Sequence, residues 1–161
     1  ALIQRLQDKG VQIAAVTLHV GAGTFRNLRP EDLERGELHP ERYRISDQTA
    51  QAIADCKARG GRVIAVGTTS TRTLESCADG QGGVRAGEGS TRLFIRPGFA
   101  FQVIDGLLTN FHLPGSSLLM LVGALVGRER LLEAYRHAVN DGYRFYSYGD
   151  AMLLLPKRRA N

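Results

Sequence analysis

Apolar residues along this chain fall into two rhythms. Residues 11–20 (VQIAAVTLHV), 62–66 (RVIAV) and 151–155 (AMLLL) are short runs, apolar on nearly every residue, which is how a strand buried on both faces reads. Residues 118–126 form the longest apolar run, within a segment read as a helix from Ser116, and Arg128, Glu129 and Arg130 follow at once. It is too short to span a bilayer, which needs about 20 residues, so a buried helix is the expectation. Residues 128–141 place Leu131, Leu132, Tyr135, Ala138 and Val139 on one helical face. Further helices are predicted at 1–8, stopped by Gly10, and from Ser46 or Asp47 to 59, stopped by Gly60. A short one is predicted at 30–35, another after Gly67, and shorter strands at 41–45, 92–95 and 107–108. The glycine-rich residues 79–90 read as a mobile connection. The order β, α, β, α, β, β, α, α, β predicts one α/β domain over residues 1–161, with a mostly parallel sheet that is open or closed into a barrel.

Polar residues gather where these strands are predicted to end. Residues 107–127 (LLTNFHLPGSSLLMLVGALVG) pass from strand to helix through Asn110, Phe111 and His112, closed by Leu113, Pro114 and Gly115. Residues 62–76 repeat the form: Gly67 ends the strand, Thr68, Thr69 and Ser70 begin the helix, and Arg72 and Glu75 follow. Hydroxyls and an arginine at a helix N-terminus suit a carboxylate or phosphate; plain capping by Thr69 or Ser70 is the structural alternative. A third cluster is His19, Gly21, Gly23, Thr24 and Arg26, and a fourth is Ser147 to Asp150 beside Tyr146 and Tyr148. In a parallel sheet the first three share one rim, the ordinary place for chemistry in α/β folds. Two histidines there, His19 and His112, can move protons near neutral pH. For His112 the alternative is a core imidazole bonded to backbone.

Composition narrows the classes. The chain has 161 residues, 43% hydrophobic and 23% charged, close to ordinary globular proteins. Cys56 and Cys77 lack metal or redox spacing, so thiols are expected and no metal site. The net charge of +5 fits a polyanionic partner. The opening ALIQRLQDKG lacks Met and reads as a helix entered midway, which suggests a trimmed chain. Spacing alone reaches an α/β enzyme with a polar rim site. A sugar-phosphate barrel enzyme using residues 67–73, and a non-catalytic RNA-binding module, stay open at that point.

The strings VTLHVGAGTFR, RVIAVGTTSTRTLES, LFIRPGF, TNFHLPGSSLLMLVGA and YRFYSYGDAML resemble the S-adenosylmethionine:tRNA ribosyltransferase-isomerase family, over essentially the whole chain and in order. The resemblance is to the family's C-terminal half. It implies part of an irregular α/β barrel, without the N-terminal strands and inserted β domain. It also implies a cytoplasmic bacterial enzyme of queuosine biosynthesis, away from membranes; the family favours a monomer, and the sequence leaves the oligomeric state open. The reaction implied moves the ribosyl portion of S-adenosylmethionine, the cosubstrate, onto 7-aminomethyl-7-deazaguanine in a tRNA anticodon. The product is epoxyqueuosine, and adenine and methionine leave. This piece alone is expected to be inactive.

Within that reaction the methionine carboxylate needs an anion partner, for which Arg72 beside Thr68 and Thr69 is the candidate. Glu75 or Asp150 suit the ribose hydroxyls. Proton transfers fall to His112, His19 or Asp150, without assignment among them. Tyr146 and Tyr148 suit stacking on adenine or the sulfonium. Gly21, Gly23, Thr24, Arg26, Gly67, Asn110, Phe111, Pro114, Ser117 and Ser147 are further substrate contacts, and Arg29, Arg92 and Arg96 face tRNA phosphates.

Overall fold

The computed structural model describes residues 1–21 and 28–156, apart from the Tyr148 side chain. Gly23, Thr24 and Arg26, proposed above as contacts, lie outside the described residues, as does the basic run from Lys157. In order the elements are α1 (Leu2–Asp8), β1 (Thr17–His19), α2 (Pro30–Arg35), β2 (Glu37–Ile45), α3 (Asp47–Ala58), β3 (Ile64–Val66) and α4 (Thr68–Ser76). They continue with β4 (Gly87–Leu93), β5 (Gly106–Asn110), α5 (Ser117–Val126), α6 (Arg128–Asn140), a 3-10 turn (Tyr146–Tyr148) and β6 (Ala151–Leu154). The helices follow the predicted pattern closely. Ser46 caps α3 by accepting from Thr49 N–H, and Ser116 caps α5 by accepting from Leu119 N–H.

The sheet expectation needs correction. Among the described residues the strands form two three-stranded sheets, ordered β1-β2-β4 and β3-β5-β6, which do not close into a barrel. The first sheet is antiparallel throughout. In the second, β3 and β5 are parallel, while β6 returns antiparallel to β5. The fold is mixed α/β rather than mostly parallel. Two misread segments explain this.

Residues 11–16 form no strand despite their β-branched sequence; only Thr17–His19 finds a partner, in β2. A strand needs a ladder as well as propensity. Conversely, the glycine-rich segment read as a mobile connection contributes most of β4. Gly89 lies opposite Tyr43, and a Cβ added there would meet the Tyr43 hydroxyl at 2.6 Å. The glycine makes room for an aromatic ring across the strand pair. The turn before β4 is held by Asp79, whose carboxylate accepts from Gln81 and Gly83 N–H groups.

The core joins the sheets through α4. Ala65, Leu107 and Leu154 from the second sheet pack with Leu74, Leu121 and Val122, and Ile45 of β2 belongs to the same cluster. The opposite face of the second sheet is apolar and open. Register places Val66, Leu108 and Leu153 in one row, with Val66 66% and Leu153 57% exposed. No helix among the described residues is long and apolar enough to cross a membrane.

Candidate functional site

Where β3 and β5 end side by side, the chain forms a cleft of about 280 Å3. Its wall on the β3 side is Gly67, Thr68 and Thr69. On the β5 side are Thr109, Asn110, Phe111, His112 and Leu113, then Ser116 and Leu118, and Tyr146 and Ser147 close it. Parallel pairing of β3 with β5 is what brings the two strand–turn–helix hinges together, with Val66 opposite Leu108. Gly67 N–H also donates to Leu108 O at 2.8 Å.

Gly67 stands at φ +87°, a conformation L side chains rarely adopt, and serves as N-cap of α4. Among the described residues no side chain caps this helix. The alternative of capping by Thr69 or Ser70 is not what forms, and helix geometry leaves the first N–H groups without an intrahelical acceptor. Two of them, on Thr68 and Thr69, belong to cleft residues. The positive end of a helix dipole with threonine hydroxyls beside it is suited to a carboxylate or a hydroxyl-bearing ligand.

His112 is held from three sides. Its Nε2 shares a 2.9 Å hydrogen bond with Thr109 Oγ1. Its backbone N–H donates to the Tyr135 hydroxyl at 2.7 Å, and the same hydroxyl donates to His112 O at 3.1 Å. Burial pulls the imidazole pKa down to about 4, so the ring is neutral at pH 7. Phe111 is buried in an aromatic cluster with Tyr135, Tyr143 and Phe145, at ring separations of 5.1 to 5.8 Å. Tyr146, half-exposed, has φ +64°, uncommon for a residue with a Cβ. Its N–H donates to Phe111 O at 3.1 Å, which ties the turn to the hinge.

Other expected site residues are engaged elsewhere. Arg72 is 2% exposed: its Nη1 donates to Glu41 at 2.5 Å and its Nε to Leu93 O at 3.2 Å. Among the described residues its Nη2 has no partner. The other Glu41 oxygen accepts from Gly21 N–H at 3.0 Å, so Arg72 fastens α4 to the end of β1, to β2 and to β4. Glu75 is likewise internal; its carboxylate accepts from the Gln102, Val103 and Ile104 N–H groups. Asp150 accepts from the Arg144 backbone N–H and Nε. Those bonds, the backbone one first, hold its carboxyl below the usual carboxylate range.

His19 lies exposed on β1 opposite Arg42, outside the residues lining the cleft. Pro114 is exposed on the hinge turn and Ser117 is buried in the first turn of α5, each beside a lining residue. Arg29, Arg92 and Arg96 are exposed; Arg92 pairs with Glu37 at 3.6 Å, and Arg96 reaches Leu33 O at 3.4 Å. The clusters at Gly67–Thr69, Asn110–Ser116 and Tyr146–Ser147 therefore meet. The His19 cluster does not join them among the described residues. Tyr135 was missed, because helical spacing marks it only as one more apolar-face residue and its hydroxyl partners lie 23 positions away.

The sequence profile of a family described as "Queuosine biosynthesis protein" matches residues 1–154. The S-adenosylmethionine:tRNA ribosyltransferase-isomerase of Pelotomaculum thermopropionicum is 58% identical over 154 residues, 96% of this chain and 45% of that protein. The protein of the same name from a Synechococcus species is 59% identical over 157 residues, 97% of this chain and 43% of its own length. Among solved structures, an S-adenosylmethionine tRNA ribosyltransferase from Thermotoga maritima superposes with a TM-score of 0.75. It is 44% identical, over 96% of this chain and 48% of that one. The chain thus spans a little under half the length of the relatives it matches.

Proposed function

This chain belongs to the queuosine biosynthesis protein family, and from that premise we propose that it forms part of an enzyme transferring the ribosyl portion of S-adenosylmethionine to tRNA. The observation that carries the reading is the meeting, in one cleft, of the uncapped N-terminus of α4 with Asn110, His112, Tyr146 and Ser147. The cleft is proposed as the S-adenosylmethionine site. Thr68 and Thr69, with the backbone N–H groups they carry, receive the methionine carboxylate or the ribose hydroxyls. Arg72, first considered for that carboxylate, instead positions α4 from behind through Glu41.

Tyr146 offers a half-exposed aromatic face for adenine or the sulfonium. His112 enters neutral. In the tautomer whose Nε2–H donates to Thr109, the Nδ1 lone pair is open to accept a proton from substrate. Abstraction next to the sulfonium, or from the incoming aminomethyl group, is the step that needs it. A low pKa makes the ring a weak base until negative charge develops beside it. Exposed Arg29, Arg92 and Arg96 are proposed for tRNA phosphate contacts. Other contacts of the reaction are assigned to the part of the relatives' length that this chain does not span.

Isothermal titration of the chain with S-adenosylmethionine tests the reading. Saturable binding is expected, weakened about ten-fold by Asn110→Ala and unaltered by His19→Ala. A folded chain that binds ribose 5-phosphate but not S-adenosylmethionine would favour the sugar-phosphate alternative.

A further inference from the structure

The hinge after Asn110 leaves the β5 ladder, so its main-chain polar groups must find partners elsewhere. Phe111 O accepts from Tyr146 N–H and Leu113 O from Ser116 Oγ at 2.8 Å, while the Asn110 side chain donates through Nδ2 to Asp150 O at 3.3 Å. His112 stands apart, because a single side-chain atom takes both its N–H and its C=O. That atom is the Tyr135 hydroxyl, delivered from the middle of α6. A phenol has one proton to give and lone pairs to accept with, so one oxygen can serve both groups.

The phenol is itself tightly held. Its ring meets Phe111 edge-on at 5.5 Å and Phe145 edge-on at 5.6 Å. Burial pushes its pKa up to about 12, so it keeps the proton that His112 O accepts. Tyr135 is not among the residues lining the cleft; it meets the site through the main-chain groups of His112 and the Phe111 ring.

We propose that Tyr135 is a positioning residue for the cleft: by bonding both main-chain groups of His112, it fixes the peptide whose imidazole is bonded to Thr109 and faces the cleft. Two anchors then set the ring, Tyr135 on the backbone and Thr109 on Nε2. With the peptide free to rotate, the Thr109 bond alone leaves the ring able to swing out of the wall. This assignment rests on the proposed role of His112 where ligand binding is concerned, and on geometry alone where the imidazole is concerned.

The test uses the 161-residue chain and reads the His112 ring by NMR, its signals assigned by their loss in His112→Gln. In the wild type the ring is expected to titrate near pH 4. In Tyr135→Phe, with the fold verified by circular dichroism, the midpoint is expected to rise by at least about one unit toward 6.5 as the released ring hydrates. An unchanged midpoint in folded Tyr135→Phe overturns the proposal. Should that variant fail to fold, the wild-type His112 amide decides. Slow hydrogen exchange with a cross-peak to the Tyr135 hydroxyl proton supports the clamp, and exchange at the unfolded-chain rate refutes it.

A third arm separates this proposal from the functional reading. If S-adenosylmethionine binds, Tyr135→Phe and His112→Gln are expected each to weaken it by about ten-fold, and the double variant by about ten-fold rather than a hundred-fold. Additive losses would assign Tyr135 a merely structural role. Absence of binding by the wild type would count against the S-adenosylmethionine reading alone, leaving the titration to judge the clamp.

Discussion

The two faces of helix α4 use the same kinds of residue for opposite ends. Its first turn, with Gly67, Thr68 and Thr69, opens into the cleft beside His112, and among the described residues no side chain caps it. Further along, Arg72 and Glu75 point inward and are bonded to protein, the first to Glu41 and Leu93, the second to three backbone N–H groups. In the sequence the four polar positions look like one binding motif. In the fold, the hydroxyl end faces the cleft, and the charged end ties the helix to the first sheet and to the loop at residues 102–104. Buried charges bonded to protein groups hold structure; polar groups lining an open cleft are the better place to look for binding.

The contrast can be broken most forcefully at the bolted end. Arg72→Met removes the buried cation bonded to Glu41, and removing one member of a buried pair costs about 3–5 kcal/mol. Chemical denaturation should show that loss or outright unfolding. Glu75→Ala removes the acceptor for three buried N–H groups and is expected to cost about 2–4 kcal/mol, while Glu75→Gln, which keeps an acceptor oxygen, costs less. If Arg72→Met or Glu75→Ala left stability intact but abolished ligand binding, the division of labour along α4 would be wrong.

At the cleft end the expected signature is pH-dependent. The His112 pKa is about 4 in the folded chain against 6.5 for the free side chain. Between those values the unfolded chain binds a proton that the native chain refuses. Stability is therefore complete above pH 6.5 and declines as pH falls toward 4, by on the order of 2 kcal/mol after allowance for solvent screening of a half-buried ring. His112→Gln should remove that slope while changing stability at pH 7 little; equal slopes in both proteins would contradict the burial of the ring. The smallest effect belongs to the surface: Arg92→Ala loses only an exposed pair with Glu37, worth about 0.5 kcal/mol or less.

How far the sequence could be read followed from the range of the forces involved. Helix ends were legible because caps and stops are local: Ser46, Ser116, Gly10 and Gly60 act within a turn of themselves. The two strand–turn–helix hinges were legible for the same reason. Strand direction was not, since nothing local tells that β2 and β4 pair antiparallel or that β6 turns back on β5. The glycines of β4 looked like a flexible linker until Tyr43 was seen to occupy the space opposite Gly89. Residues 11–16 carried strand propensity without a ladder. Arg72 was read as a ligand contact because its counter-charge, Glu41, sits 31 positions away, beyond any spacing rule. Asp150 was likewise drawn into the site by its position after Ser147, whereas its carboxylate clasps Arg144 six positions back.

The central claim is that the ligand space lies where β3 and β5 end, and not on the antiparallel sheet that carries His19. Backbone NMR of the isotope-labelled chain titrated with S-adenosylmethionine tests it directly. Shifts are predicted at Gly67, Thr68, Thr69, Asn110, His112 and Ser147, with β1 and β2 unmoved. Shifts centred on His19 and Arg42, with the cleft residues silent, would contradict it.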